Sequence, residues 1–178
     1  KQALASEESL LEVECHIMNL IKTASKIKPY SVSDSKSNVL MISSSLGRGG
    51  AERQVVSCLS GLVKDLKFEQ TKLYCYSVNG SRGHVETYES EVRELGVEIH
   101  EFGKRNNWTS GFDRAEVLLK PWKQFLDRLP IAMRRDIEPL YLNFSREKPQ
   151  IVHAWQDQTN INVAIAGLMA GVPGIVMF

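Results

Sequence analysis

The chain has 178 residues, 43% apolar and 24% charged, values of a globular protein with room for one ordinary domain and an appendage. Its 22 basic and 21 acidic residues leave a net charge of +1, which argues against a nucleic-acid partner, since such binders carry a basic excess or stripe. Cys15, Cys58 and Cys75 are widely spaced and form no C-x-x-C pair, so neither a zinc knuckle nor a disulfide framework is expected and free thiols in a reducing compartment are the simplest reading.

The chain opens at Lys1 without a charged-then-apolar leader, so no signal peptide is expected. Leu10, Val13, Ile17, Leu20 and Ala24 recur in steps of three and four, which predicts an N-terminal helix over residues 6–26. Ser6, Glu7 and Glu8 would start it. The serine-rich stretch 29–37 reads as a linker. The expected division is therefore residues 1–37, helix and linker, and residues 38–178, the main domain.

From Asn38 onward the patterns alternate. Val39-Leu40-Met41-Ile42 is a continuous apolar run, as in a strand buried on both faces. Ala51, Val55, Leu59, Leu62 and Leu66 predict one helical stripe over 51–66. Residues 72–78 read as a second strand, 85–95 as a Glu-rich helix stopped by Gly96, and 97–102 as a third strand. Residues 112–146 read as helix broken near Pro121, Pro130 and Pro139. A fourth strand (150–154), a helix (160–170) and a fifth strand (174–178) follow. Ile161 to Phe178 is apolar enough to suggest a membrane span, but Gly171, Pro173 and Gly174 interrupt it before the ~20 residues a span needs. The sequence stops inside the expected fifth strand, so a fragment is expected. Strands joined by helical crossovers give an α/β class: a doubly wound parallel sheet.

The most informative residues follow the first strand: Ser43-Ser44-Ser45-Leu46-Gly47-Arg48-Gly49-Gly50-Ala51-Glu52-Arg53. Glycines here let backbone approach a ligand, and free amides at a helix start favour an anion. Ligands of open α/β sheets bind outside the carboxyl ends of strands, so a phosphate-bearing ligand is expected. The dinucleotide fingerprint fails because position 52 is Glu52, and the P-loop fails for want of a lysine. Read without a ligand, the glycines would only make a tight turn.

Strand, G-x-G-G-A-E-R and amphipathic helix together resemble the opening of the group-1 glycosyltransferases of the GT-B superfold. Lys148-Pro149-Gln150-Ile151-Val152-His153-Ala154-Trp155, followed by Ala170-Gly171-Val172-Pro173, is similar to that family's "K-P-D-I-V-H-A-H … A-G-V-P" region. The likeness runs from about residue 38 to 178. Gln150 and Trp155 depart from it, and Trp155 puts one pocket contact in doubt. The resemblance implies a Rossmann-like N-terminal half of a two-domain enzyme. This half would hold a glycan or lipid-linked acceptor, with most of the nucleotide-sugar donor on a second domain that is not in this sequence. Retention of anomeric configuration is typical of the family. The family's paired glutamates belong to that second domain; Glu86 and Glu94 match the spacing but read as a solvated face.

The resemblance assigns His153 as the catalytic candidate, at the end of its strand and facing the cleft. Gly47, Gly49, Gly50 and Glu52 become the donor-phosphate candidates. Arg48, Gln156, Asp157 and Asn160 become acceptor or sugar contacts, although Asn160 could simply cap its helix. His16, His84 and His100 stand alone, so no metal site and no cofactor are expected. Lys120, Lys123, Arg128, Arg134 and Arg135 interleave with Trp122 and Phe125; this stretch is either a solvated basic face or a peripheral contact with the inner face of a membrane. A cytoplasmic location goes with either. The alternatives in function are a non-catalytic binding or assembly module and an epimerase of the same superfold.

Overall fold

Val39, Leu40, Met41 and Ile42 are each at most 2% exposed, because the strand they form, β1 (Asn38–Ser43), lies at the centre of a sheet covered on both faces. Burying one such side chain stabilises the fold by about 1.5–3 kcal/mol. The computed structural model describes residues 38–66, 68, 70–78, 87–102 and 115–178, together with Met18, Lys22 and Pro29. The expected N-terminal helix and linker otherwise lie outside the described residues; Met18 and Lys22 are helical.

After β1 come helix α1 (Gly50–Ser60), continued by one π-helical turn, Gly61–Asp65, and strand β2 (Gln70–Cys75). Helix α2 (Glu89–Glu94) and strand β3 (Glu98–Glu101) follow. Two short helices, α3 (Ala115–Leu119) and α4 (Lys123–Leu126), are joined by a 3-10 turn, Lys120–Trp122. The chain closes with α5 (Ile131–Glu147), β4 (Ile151–Ala154), α6 (Asp157–Ala170) and β5 (Gly174–Met177). The five strands pair in the order β3-β2-β1-β4-β5, all parallel. This is the expected Rossmann-like α/β sheet.

The winding reverses at β1. Val55 and Leu59 of α1 and Val92 of α2 cover one face, against Val39, Met41, Leu73 and Cys75. Ile137 and Phe144 of α5 with Val163 and Ala166 of α6 cover the other, against Leu40, Ile42, Tyr74, Val152 and Ala154. The two loops leaving β1 and β4 therefore part to opposite faces. A crevice opens between them at the carboxyl ends of the strands, where ligands of such sheets bind.

Several boundaries differ from expectation for identifiable reasons. The wider turn after Ser60 rotates Leu66 off the α1 stripe, and it is 65% exposed. Pro121 lies in the first turn of its 3-10 segment, where a missing N–H is harmless. Pro130 does end a helix, standing extended just ahead of α5. Pro139 does not: α5 runs straight through it, and its carbonyl accepts a bond from Asn143 Nδ2 at 2.8 Å. α6 begins at Asp157 rather than Asn160, with Gln156 in the cap position. Gly171, in the left-handed region at φ 71, closes α6 as its C-cap. Among the described residues, no helix is long and apolar enough to cross a membrane.

Candidate functional site

The loop from Ser44 to Gly49 is held by backbone and by one apolar plug. Leu46 is fully buried; its amide donates to Val78 O at 3.2 Å and its carbonyl accepts from Tyr88 N at 2.8 Å. Gly49 N donates to Gly47 O at 2.8 Å, and Gly49 O accepts from Arg53 N at 3.1 Å, opening α1. Among the described residues, no side chain caps that helix by a hydrogen bond, although the acidic Glu52 stands in its first turn, near the positive end.

Across the crevice stands Gln156, between β4 and α6. Its Oε1 accepts from Ser44 Oγ and from Ser44 N, the latter at 3.3 Å. Its Nε2 donates to Glu52 Oε1 at 3.0 Å, and the same oxygen accepts from Ser45 Oγ at 2.8 Å. Ser44, Ser45, Glu52 and Gln156 thus form one network that ties the two diverging loops. Gln156 holds it from an uncommon backbone, φ 79 and ψ 144. A non-glycine residue there is strained by about 1–3 kcal/mol, and such strain clusters at functional sites.

The glycines of the loop are not there for left-handed backbone, since neither Gly47, Gly49 nor Gly50 has positive φ. A Cβ on Gly49 would meet Glu52 Oε2 at 2.3 Å, so Gly49 makes room for the Glu52 carboxylate folded back over it. A Cβ on Gly50 would meet nothing within 4 Å. Gly50 is the first residue of α1, so its missing side chain leaves space open at that end of the helix.

The other expected contacts divide. Glu52 and Gln156 come together as described, but Glu52 faces serine and amide donors rather than open space. Arg48 is turned to α2, with its Nη2 3.3 Å from Glu91 Oε1 and its guanidinium 5.4 Å from the Tyr88 ring centre. Asp157 is exposed in the first turn of α6. Asn160 donates through Nδ2 to Phe178 O at 2.9 Å.

His153 does not stand at a strand end. β4 runs on through Ala154, and Trp155 N still donates to Ile42 O at 3.0 Å. Parity therefore turns His153 to the α1 side of the sheet, with Ile151. Its Nδ1 is 3.9 Å from Cys58 Sγ, its Nε2 is buried without a partner among the described residues, and its ring lies against Trp155, centres 5.2 Å apart. Burial pushes its imidazole below the ordinary 6.5. This is an interior imidazole behind the crevice, not one presented to it.

A cavity of about 200 Å³ opens beside the crevice on the α5–α6 face, and sequence reasoning missed it. Ser44, Tyr76 and Phe102, each just past the end of a strand, line it with Asp136, Gln158 and Asn162. Asn162, 3% exposed amid an apolar helix, was the one readable signal. A larger groove of about 630 Å³ lies between α3, α4 and the start of α5. Among the described residues, none of a strand or of a strand-end loop lines it, and its Arg134 is neutralised by Asp127 at 2.9 Å and Glu138 at 3.0 Å.

No protein-family model matches the chain, and no solved structure matches it at a significant level. Over 141 residues it is 30% identical to the Vi polysaccharide biosynthesis protein VipC/TviE of Salmonella typhi, an alignment covering 74% of this chain and 24% of that protein. The chain thus spans about a quarter of the length of that curated relative.

Two outcomes are expected. Gln156→Ala loses the network yet keeps the strained backbone, whereas Gln156→Gly relieves it. The Gly variant should be the more stable of the two by about 1 kcal/mol in denaturant titrations; the reverse order would show that the positive φ is not strained. For His153, the native imidazole binds its proton less tightly than the unfolded one. Stability should be full above pH 6.5 and should fall as pH drops below it toward the lowered native value. His153→Gln should flatten that acid-side loss, and an unchanged pH profile of Tm would contradict the assignment.

Proposed function

We propose that this chain is the acceptor-side half of a glycosyltransferase that moves a sugar from a nucleotide-sugar onto a glycan or lipid-linked acceptor in polysaccharide biosynthesis. The observation that carries the reading is the crevice where the winding reverses, with Gly50 open before an uncapped helix end and the Ser44–Gln156–Glu52 network fixing its walls. The order of the two motif blocks, the Rossmann-like sheet and the similarity to a protein named for polysaccharide biosynthesis support it.

In the proposed reaction the bond from the anomeric carbon to the donor diphosphate breaks, and one to an acceptor hydroxyl oxygen forms. Negative charge grows on the departing diphosphate. The first amides of α1, bared by Gly49 and Gly50, would face that charge from this side of the cleft, and such donors contribute most when fixed before the reaction. Glu52 does not contact phosphate in this scheme, since its carboxylate would repel it; its role is to hold Ser45 and Gln156 in place. His153 acts as a positioning residue, backing Trp155 and through it the turn at Gln156. Arg48, Asp157 and Asn160 are the proposed acceptor contacts; of these Asp157 is exposed, while Arg48 and Asn160 would first have to leave Glu91 and Phe178. No resident metal or cofactor is part of the proposal.

The test uses the two-domain enzyme alongside the 178-residue chain. The chain alone should unfold cooperatively and transfer no sugar. In the two-domain enzyme, Gly50→Val should lower kcat at least ~tenfold, about 1.4 kcal/mol of transition-state stabilisation, with little change in Tm because its side chain enters open space. Turnover by the chain alone, or full activity in a well-folded Gly50→Val enzyme, would contradict the reading.

A further inference from the structure

The cavity on the α5–α6 face has a chemistry of its own. Ser44, Tyr76 and Phe102 bring the ends of three successive strands to it, the placement expected of a ligand site in such a sheet. Its walls are largely apolar. Tyr76, 46% exposed, stands edge-on to Phe102 with ring centres 5.6 Å apart. A large aromatic left this open at the rim of a cavity offers a face to the C–H side of a sugar ring.

The polar groups inside form a relay with a direction. Gln158 Nε2 donates to Asn162 Oδ1 at 3.1 Å, and Asn162 Nδ2 donates to Asp136 Oδ2 at 3.0 Å. The amide donors that this relay uses are thereby occupied. Among the described residues, Asp136 Oδ1 and Gln158 Oε1 have no partner, and both are acceptors. One N–H of each amide is spent in the relay, and a ligand that brings donors, as hydroxyls do, meets both of these acceptors. Asp136 is the one charged group among the described lining residues, with no cation beside it there. Burial raises its carboxyl, as expected for a charge with no compensating cation.

We infer that this cavity receives one non-anionic pyranose residue of the acceptor, its ring against Tyr76 and its hydroxyls on Asp136 and Gln158, and that Asp136 turns away sugars bearing a carboxylate. The inference rests on the acceptor-half reading above and adds the class of sugar. The volume of about 200 Å³ fits a single ring, and the negative lining is unsuited to the donor diphosphate, so the two ligands would occupy neighbouring but separate places.

The test is saturation-transfer NMR on the whole 178-residue chain with the methyl glycosides of glucose, galactose, N-acetylglucosamine, glucuronic acid and galacturonic acid. At least one neutral glycoside should bind, and its uronic counterpart should bind at least tenfold more weakly. Asp136→Asn, which keeps an oxygen for Asn162, should bring the two to within about twofold. Tyr76→Ala, a change at a half-exposed position, should weaken the neutral glycoside at least tenfold with Tm unchanged. Equal binding of neutral and uronic glycosides by the unaltered chain, or binding of none of them, would overturn the inference, as would neutral binding untouched by Tyr76→Ala. Glycoside binding here, with no transfer by the two-domain enzyme, would uphold the pocket and sink the transferase reading. Transfer whose acceptor KM ignores both variants would do the opposite.

Discussion

Two crossovers leave the sheet on one face and two on the other, and the change of direction falls between β1 and β4. The buried run of β1 makes that possible: with Val39 and Met41 packed on one side and Leu40 and Ile42 on the other, both faces must be covered by helices. The loops after β1 and β4 then separate above the sheet. The glycine loop and the strained Gln156 lie at that separation, and the cavity lined by Ser44, Tyr76 and Phe102 opens beside it.

The gap between the loops is spanned by side chains instead of backbone. Gln156 reaches across to Ser44 and Glu52, while Glu52 reaches back to Ser45. Each bond of this kind is worth about 0.5–1.5 kcal/mol, more where a carboxylate accepts. Their sum is of the same order as the strain at Gln156, so the network can hold a backbone that isolated residues would abandon. It also fixes the Glu52 carboxylate, which lies folded back over Gly49 at the start of α1. On the far side of β4, His153, Trp155 and Phe178 form a ring stack, with centres 5.2 and 4.8 Å apart. That stack supports the same turn from behind.

How much of this could be read from the sequence depended on how local each feature is. β1 was legible because four apolar residues in a row have few other homes. The order of strands and helices followed from similar local patterns, and so did the glycine loop. Pro139 misled because a proline inside a helix is tolerated where tertiary packing on both sides, here Ile137 and Leu140, outweighs one lost bond. The start of α6 was misplaced because Gln156, a residue with no propensity for positive φ, takes the cap position. His153 was expected to face the cleft as a strand-end residue, but β4 runs on through Ala154, and inside a strand parity decides the face. Beyond the polar Asn162 in an apolar helix, the cavity left no mark in the sequence, because Asp136 and Asn162, 26 residues apart, meet only once α5 and α6 pack together.

The most direct test of the account is a crystal structure of the proposed two-domain enzyme with a nucleoside diphosphate bound. The account predicts the pyrophosphate within hydrogen-bond distance of the amides of Gly50 or Ala51, with Gln156 still bonded to Ser44 and Glu52. A diphosphate seated away from this crevice, with the first turn of α1 facing only water, would contradict it.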